Sequence, residues 1–121
     1  MRRELLQWYG LFGAALAWAG MHVVGFGVAT ADCANASRHW GLDLTVWIVV
    51  CTVIGLVCAG LAEFAAVSIL LETRALDYDG PPPDGRRHFF AFGAALGNVL
   101  FIMAIVLNAV GTLASVGCRP A

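Results

Sequence analysis

Three long apolar stretches make up most of this chain, and short polar segments separate them. They cover residues 5–31, 42–71 and 89–117, and each is longer than the ~20 residues that a helix needs to cross a bilayer. None shows the period-two alternation that is typical of a membrane β-strand. Because lipid leaves only helices and closed barrels as spanning structures, the pattern predicts an all-α membrane protein, with three transmembrane helices in a single domain, 1–121.

Composition supports a membrane protein over a soluble one. The chain is 60% hydrophobic and 12% charged, whereas charged residues make up about 25% of a typical soluble domain. A soluble helical bundle of this composition would expose apolar patches larger than soluble monomers tolerate. The net charge of −1 also argues against a nucleic-acid-binding protein.

The N-terminus imitates a secretory signal peptide. Two arginines precede an apolar run, and Ala17-Trp18-Ala19 has the form of a cleavage site. The apolar run continues beyond that site through Val28, however, and so reaches the length of a full span. We therefore expect a retained first helix.

The arginines predict an orientation for the three helices. Two precede the first stretch and three lie between the second and third, against two in the other polar segments: Arg2, Arg3, Arg74, Arg86 and Arg87 against Arg38 and Arg119. Positive charge favours the cytoplasmic side of a membrane. This places the N-terminus and the loop 72–88 in the cytoplasm and the C-terminus on the outer, periplasmic face of a bacterial inner membrane.

The four cysteines divide into two pairs in that topology. Cys33 and Cys118 follow the first and third stretches on the oxidising side, where a disulfide is expected to join them. The alternative is two free thiols, and a metal site is less favoured because no histidine cluster accompanies them. Cys51 and Cys58 share a face of the second helix, and we interpret them as small packing residues rather than a metal or redox pair.

Small residues at four-residue spacing indicate where helices pack closely. Cys51, Gly55 and Ala59 form one such row on the second helix, and Gly93 and Gly97 form a GxxxG element on the third. Such rows let a neighbouring backbone approach in lipid. The motif is common and does not identify the neighbour, which lies either within the chain or outside it.

Four of the polar residues within the apolar stretches form two depth-matched pairs. His22 and Asn108 share the outer level, and Glu63 and Asn98 share the inner one. Ionisable groups at such depth are functional candidates by default. His22 is either a haem or metal ligand, a proton-relay group or a hydrogen-bonded structural residue, and Glu63 is either a proton relay or an anchor. We expect all four to be polar anchors, with no second ligand in the chain to complete a haem site.

The cytoplasmic loop has mixed charge and a stiff centre, so it is either a partner-docking segment or a solvated connector. Its candidate contact residues are Tyr78, Pro81, Pro82, Pro83, Arg86 and Arg87. No phosphate-binding loop, metalloprotease motif or catalytic triad accompanies it. The chain is therefore predicted to have no catalytic residues and no cofactor or metal of its own, and not to be an enzyme.

Several short segments together resemble a group of small three-helix proteins encoded beside bacterial haem-copper cytochrome c oxidases. They are Trp8-Tyr9-Gly10-Leu11-Phe12-Gly13, Ala17-Trp18, Cys33, Pro81-Pro82-Pro83, Gly85-Arg86, His88-Phe89-Phe90-Ala91, Asn98-Val99-Leu100-Phe101 and Cys118-Arg119. The resemblance covers nearly the whole chain with soft, apolar motifs.

It implies a non-catalytic accessory or assembly subunit of a respiratory complex, with haem and copper in larger integral membrane partners. The alternative is an electron-transfer or metal-handling module that uses His22, with Met21 or Met103, at a site shared with another chain.

Overall fold

The described part of the chain folds into three long helices. The computed structural model describes residues 2–33, 41, 43–76, 79–115 and 118. Within them lie α1 (Arg2–Cys33), α2 (Leu44–Thr73) and α3 (Asp84–Ala114). Each of the three is long and apolar enough to cross a membrane. The predicted all-α class, with three candidate membrane-spanning helices, is confirmed.

Helix α2 begins at a capped N-terminus. The Asp43 carboxylate accepts hydrogen bonds from the backbone N–H groups of Thr45 and Val46, at 3.0 and 3.3 Å. This cap satisfies two donors that have no partner inside the helix. The boundary therefore depends on a single acidic side chain placed just before an apolar run.

Helix α3 begins five residues earlier than its apolar stretch predicts. It starts at Asp84 instead of residue 89, so Arg86 and Arg87, predicted to lie in the loop, belong to its first turn. Asp84 is favourable there because a negative charge interacts well with a helix N-terminus. Apolar patterning misses this turn because the turn is polar.

The three helices pack against one another in alternating directions. Gly10 and Gly13 of α1 face Ala66 and Ala62 of α2, and further along α1 the Met21 sulfur faces Gly55. Residue numbers thus rise along α1 as they fall along α2, so these helices are antiparallel. The Cys33–Cys118 disulfide joins the C-terminal ends of α1 and α3, which run parallel.

The core of the bundle consists mainly of alanine and glycine. Ala14, Ala59 and Ala62 are fully buried, and Ile105 is the largest apolar side chain to reach the same burial among the described residues. Large apolar side chains face outward instead: Phe26 is 76% exposed and Phe64 72%. Small residues inside and large apolar ones outside suit helices that pack in lipid.

The bundle has a disulfide end and a loop end. The disulfide end contains Cys33, Leu44 and Cys118, and the loop end contains Arg2 and Asp84. At the disulfide end the cystine links positions that are 85 residues apart, with their Cα atoms 5.5 Å from each other. The disulfide that the sequence predicts is thus present in the structure.

Candidate functional site

A buried polar cluster joins all three helices between the loop end and the middle of the bundle. The Asn98 side chain on α3 is 2% exposed, and its Nδ2 donates a hydrogen bond of 2.8 Å to the Gly10 carbonyl on α1. The same amide lies beside the Glu63 carboxyl group of α2. The predicted pairing of Glu63 and Asn98 at one level is present, and it includes a backbone carbonyl.

One oxygen of Glu63 has no hydrogen-bond partner within this cluster. The Oε2 atom is buried and unpaired, whereas buried polar atoms in folded proteins are nearly always paired. Chemically, Oε2 is able to hold a proton or to accept a hydrogen bond from a small molecule such as water.

Two more polar contacts cross between helices, and sequence patterning identifies neither. The Tyr9 hydroxyl of α1 donates to the Cys58 carbonyl of α2 at 2.9 Å. At the loop end, Thr73 Oγ1 lies 2.9 Å from His88 Nδ1, and both residues are buried. Thr73 and His88 both lie just outside the apolar stretches, so hydropathy does not place either residue in a helix. The second contact could be predicted only if each helix were expected to extend beyond its apolar stretch.

A cavity of about 330 Å³ lies between the helices toward the disulfide end. Its lining is mostly apolar, and it also contains the polar side chains of His22, Thr52, Asn108, Thr112 and Ser115. The structure therefore brings the predicted pair His22 and Asn108 to one cavity. The disulfide end of the bundle is more loosely packed than its middle.

His22 is held in a defined orientation at this cavity. Its Nδ1 lies 2.9 Å from the Trp18 carbonyl, and its ring packs at 4.6 Å, centroid to centroid, from the Trp18 indole. A carbonyl oxygen only accepts hydrogen bonds, so Nδ1 carries the proton and Nε2 of the neutral ring keeps a lone pair. That lone pair is able to accept a hydrogen bond or to bind a metal.

The rows of small residues have different places in the structure. Gly55 and Ala59 are buried between helices, and Cys51 is half-buried against the same core. Gly93 and Gly97 are not used in this way, because a Cβ added to either would have no heavy atom within 4 Å. The GxxxG element thus does not serve packing among the described parts of the three helices.

The cysteine pair at the disulfide end has an acidic neighbour. One carboxylate oxygen of Asp32 and the sulfurs of Cys33 and Cys118 lie within 4.8 Å of one another. Both sulfurs are consumed by the disulfide, and metals bind thiolates rather than disulfides. This group therefore does not form a metal site in the oxidised protein.

The predicted docking loop is only partly a loop. Pro81, Pro82 and Pro83 are exposed ahead of α3, whereas Tyr78 lies outside the described residues. Arg86 is exposed on the first turn of α3, and Arg87 lines a second cavity of about 220 Å³ at the loop end. Arg3, Gln7 and Glu72 share that cavity, so its surface carries both signs of charge.

Comparisons of the chain with protein-family models, with curated proteins and with solved structures found no match.

Proposed function

We propose that this protein is a non-catalytic accessory or assembly subunit that packs against larger integral membrane proteins. The observation that carries the proposal is the position of Gly93 and Gly97 on the outer side of α3. Both lie four residues apart on one face, where an added Cβ would meet nothing within 4 Å. A face of this kind allows the backbone of another helix to approach closely.

The same helix extends this open face toward the disulfide end. Gly111 is also exposed with no heavy atom within 4 Å of an added Cβ, and it follows Gly93 by 18 residues, which is five full helical turns. Leu96 and Leu100 lie close to the row and are 57% and 68% exposed. A groove of glycine with leucine at its sides offers both close approach and dispersion contacts to a partner helix.

The identity of the partner is supported by the sequence resemblance. The segments quoted above resemble small three-helix proteins encoded beside haem-copper cytochrome c oxidases, so a respiratory complex that contains haem and copper is the proposed partner. The arginine distribution supports a cytoplasmic N-terminus in a bacterial inner membrane. In that orientation the disulfide end faces the periplasm, where disulfides are stable.

Affinity purification of the tagged chain from its native membrane tests this proposal. The double variant Gly93→Leu and Gly97→Leu should lose most of the copurifying large subunits, because the leucines fill the groove. The matched control is Gly60→Leu on α2, which is also exposed with open space around it and should keep the partners. Native mass analysis that shows only the chain itself, or equal recovery from both variants, would contradict the proposal.

A second candidate function follows from the free lone pair on His22 Nε2. An electron-transfer or metal-handling module would place this nitrogen on a haem or metal shared with another chain. A haem absorption spectrum or stoichiometric copper in the native assembly, lost in His22→Ala, supports this function. A spectrum and a metal content that do not change in that variant would exclude a role for His22 in holding the group.

A further inference from the structure

The cavity between the helices has the size of a small-molecule site. Its volume is about 330 Å³, and cavities that hold small organic ligands measure about 300–1,000 Å³. All three helices contribute to its wall, and the aromatic rings of Phe26 and Trp47 lie on it. A mostly apolar wall with a few polar groups is typical of sites that bind an apolar molecule in one orientation.

Three of the polar side chains on the wall are already satisfied within their own helices. The hydroxyl groups of Thr52, Thr112 and Ser115 donate to the carbonyls of Ile48, Asn108 and Gly111, at 2.7, 2.8 and 2.9 Å. Such hydroxyls have used their only proton. They are therefore poor candidates for holding a ligand by donation.

Two groups on the wall keep their hydrogen-bonding capacity. His22 Nε2 is an acceptor because Nδ1 donates to the Trp18 carbonyl. The side-chain amide of Asn108, on α3, has no hydrogen-bond partner among the described residues and offers two N–H donors. The cavity thus presents one acceptor and one donor, on different helices, to whatever occupies it.

The depth of these groups argues against a phospholipid. His22 lies eleven residues before Cys33, which is about 16 Å along α1 from the disulfide end. The acyl chains that would reach this depth carry no polar atoms, and the glycerol esters of a phospholipid offer only acceptors. Nε2 is free to accept a hydrogen bond, so an occupant with an O–H or N–H group on an otherwise apolar body gains a contact that an acyl chain does not make.

We propose that this cavity binds a quinol, a hydroxylated aromatic ring on an isoprenoid tail. One ring hydroxyl donates to His22 Nε2, and a ring oxygen accepts from the Asn108 amide. The ring lies beside the aromatic wall of Phe26 and Trp47, and the tail follows the apolar wall. The proposal requires no partner chain, so it stands or fails independently of the accessory-subunit function.

The test uses the full chain in phosphatidylcholine nanodiscs under anaerobic conditions, with ¹⁵N-labelled histidine and decylubiquinol as the probe. The His22 Nε2 resonance, identified by its absence in His22→Phe, should shift saturably as the nitrogen accepts a hydrogen bond. Decylubiquinone has the same ring and tail without the O–H donors. It should bind about tenfold more weakly and leave the Nε2 resonance in place.

Two variants that replace each polar group with an apolar one of similar shape complete the test. His22→Phe and Asn108→Leu should each weaken decylubiquinol binding about tenfold, as measured by quenching of tryptophan fluorescence. Ser68→Ala is the matched control, since Ser68 lies on α2 away from the cavity and donates to the Phe64 carbonyl. It should leave the affinity unchanged.

Three results would overturn the proposal. They are equal binding of the quinol and the quinone, unchanged affinity in both cavity variants, and a His22 resonance that does not respond to decylubiquinol. If a variant fails to fold, as shown by loss of helical circular dichroism, the comparison of quinol with quinone on the wild-type chain decides the matter.

Discussion

At Gly10 and Gly13, α1 contacts α2 almost backbone to backbone, whereas at Gly25 and Gly27 of the same helix an added Cβ would meet nothing within 4 Å. The two pairs of glycines have similar spacing in the sequence, but the side chains that face them on α2 differ. Gly10 and Gly13 face Ala66 and Ala62. Gly25 instead lines the cavity, together with larger side chains such as Trp47 and Ile48.

A glycine permits close packing only where the facing helix also has small side chains. Nearer the loop end, alanines on α2 let the helices approach. Toward the disulfide end, larger side chains hold them apart and leave a cavity, and the cystine ties the separated ends together. The open region contains the cavity in which we propose that a quinol binds.

Removing the disulfide should have the largest effect. The double variant Cys33→Ser and Cys118→Ser should lower the free energy of unfolding by about 4 kcal/mol, since the disulfide closes a long loop in the unfolded chain. Unfolding in mixed micelles with increasing dodecyl sulfate, followed by circular dichroism, measures the change.

The matched control for this change is Cys51→Ser with Cys58→Ser. It keeps the disulfide and should respond to dithiothreitol as the wild type does. Thiol labelling of the wild-type chain should find two reactive cysteines before reduction and four after it, because Cys51 and Cys58 are free. Four reactive thiols before reduction would show that Cys33 and Cys118 do not form a disulfide.

A methyl group added in the tightly packed region should have the next largest effect. Gly13→Ala would place a Cβ 2.8 Å from the Ala62 Cβ, so the helices must move apart. We expect a loss of about 2 kcal/mol in the same unfolding assay. An unchanged stability would mean that α1 and α2 are not in close contact there.

Breaking the polar link across the middle should have a smaller effect. Asn98→Leu keeps the branching and the number of side-chain heavy atoms but removes the hydrogen bond to the Gly10 carbonyl, and we expect a loss of about 1 kcal/mol. Asn108→Leu is the comparison, since the Asn108 amide has no such partner among the described residues. Equal losses of stability in the two variants would contradict a stabilising role for the hydrogen bond between Asn98 and the Gly10 carbonyl.

The smallest expected effect has the opposite sign. Gly25→Ala adds a methyl group to the open region, where nothing lies within 4 Å, and alanine favours a helix over glycine. The free energy of unfolding should rise by about 0.5 kcal/mol. A gain at Gly25 and a loss at Gly13 would confirm the contrast along α1, and equal signs would contradict it.

The long apolar stretches predicted the helices well because the length of an apolar run is a local property. The start of α3 at Asp84 was missed because its first turn is polar, and hydropathy does not distinguish a polar helical turn from a loop. Equal helix depths were enough to pair Glu63 with Asn98. They did not indicate that the Gly10 carbonyl would receive the Asn98 amide, since any helical carbonyl is unremarkable in sequence.

Spacing alone treated Gly93 and Gly97 as equivalent to Gly55 and Ala59. The structure separates them, because the direction in which a helix turns its faces depends on the packing of all three helices. Burial of Asn98 and Ile105 orients α3 so that its GxxxG face points outward. The open face on which the proposed function rests is therefore a result of tertiary packing.

Local hydropathy specifies the number of helices and their apolar lengths, and the alternating directions of the helices bring the two cysteines to one end, so these features can be predicted from the sequence. Tertiary packing determines which small residues touch, where the cavity lies and which polar groups in it remain unpaired. Those properties depend on the rotation and separation of each helix relative to its neighbours. Side chains from all three helices jointly determine this rotation and separation, so no single stretch of sequence specifies them.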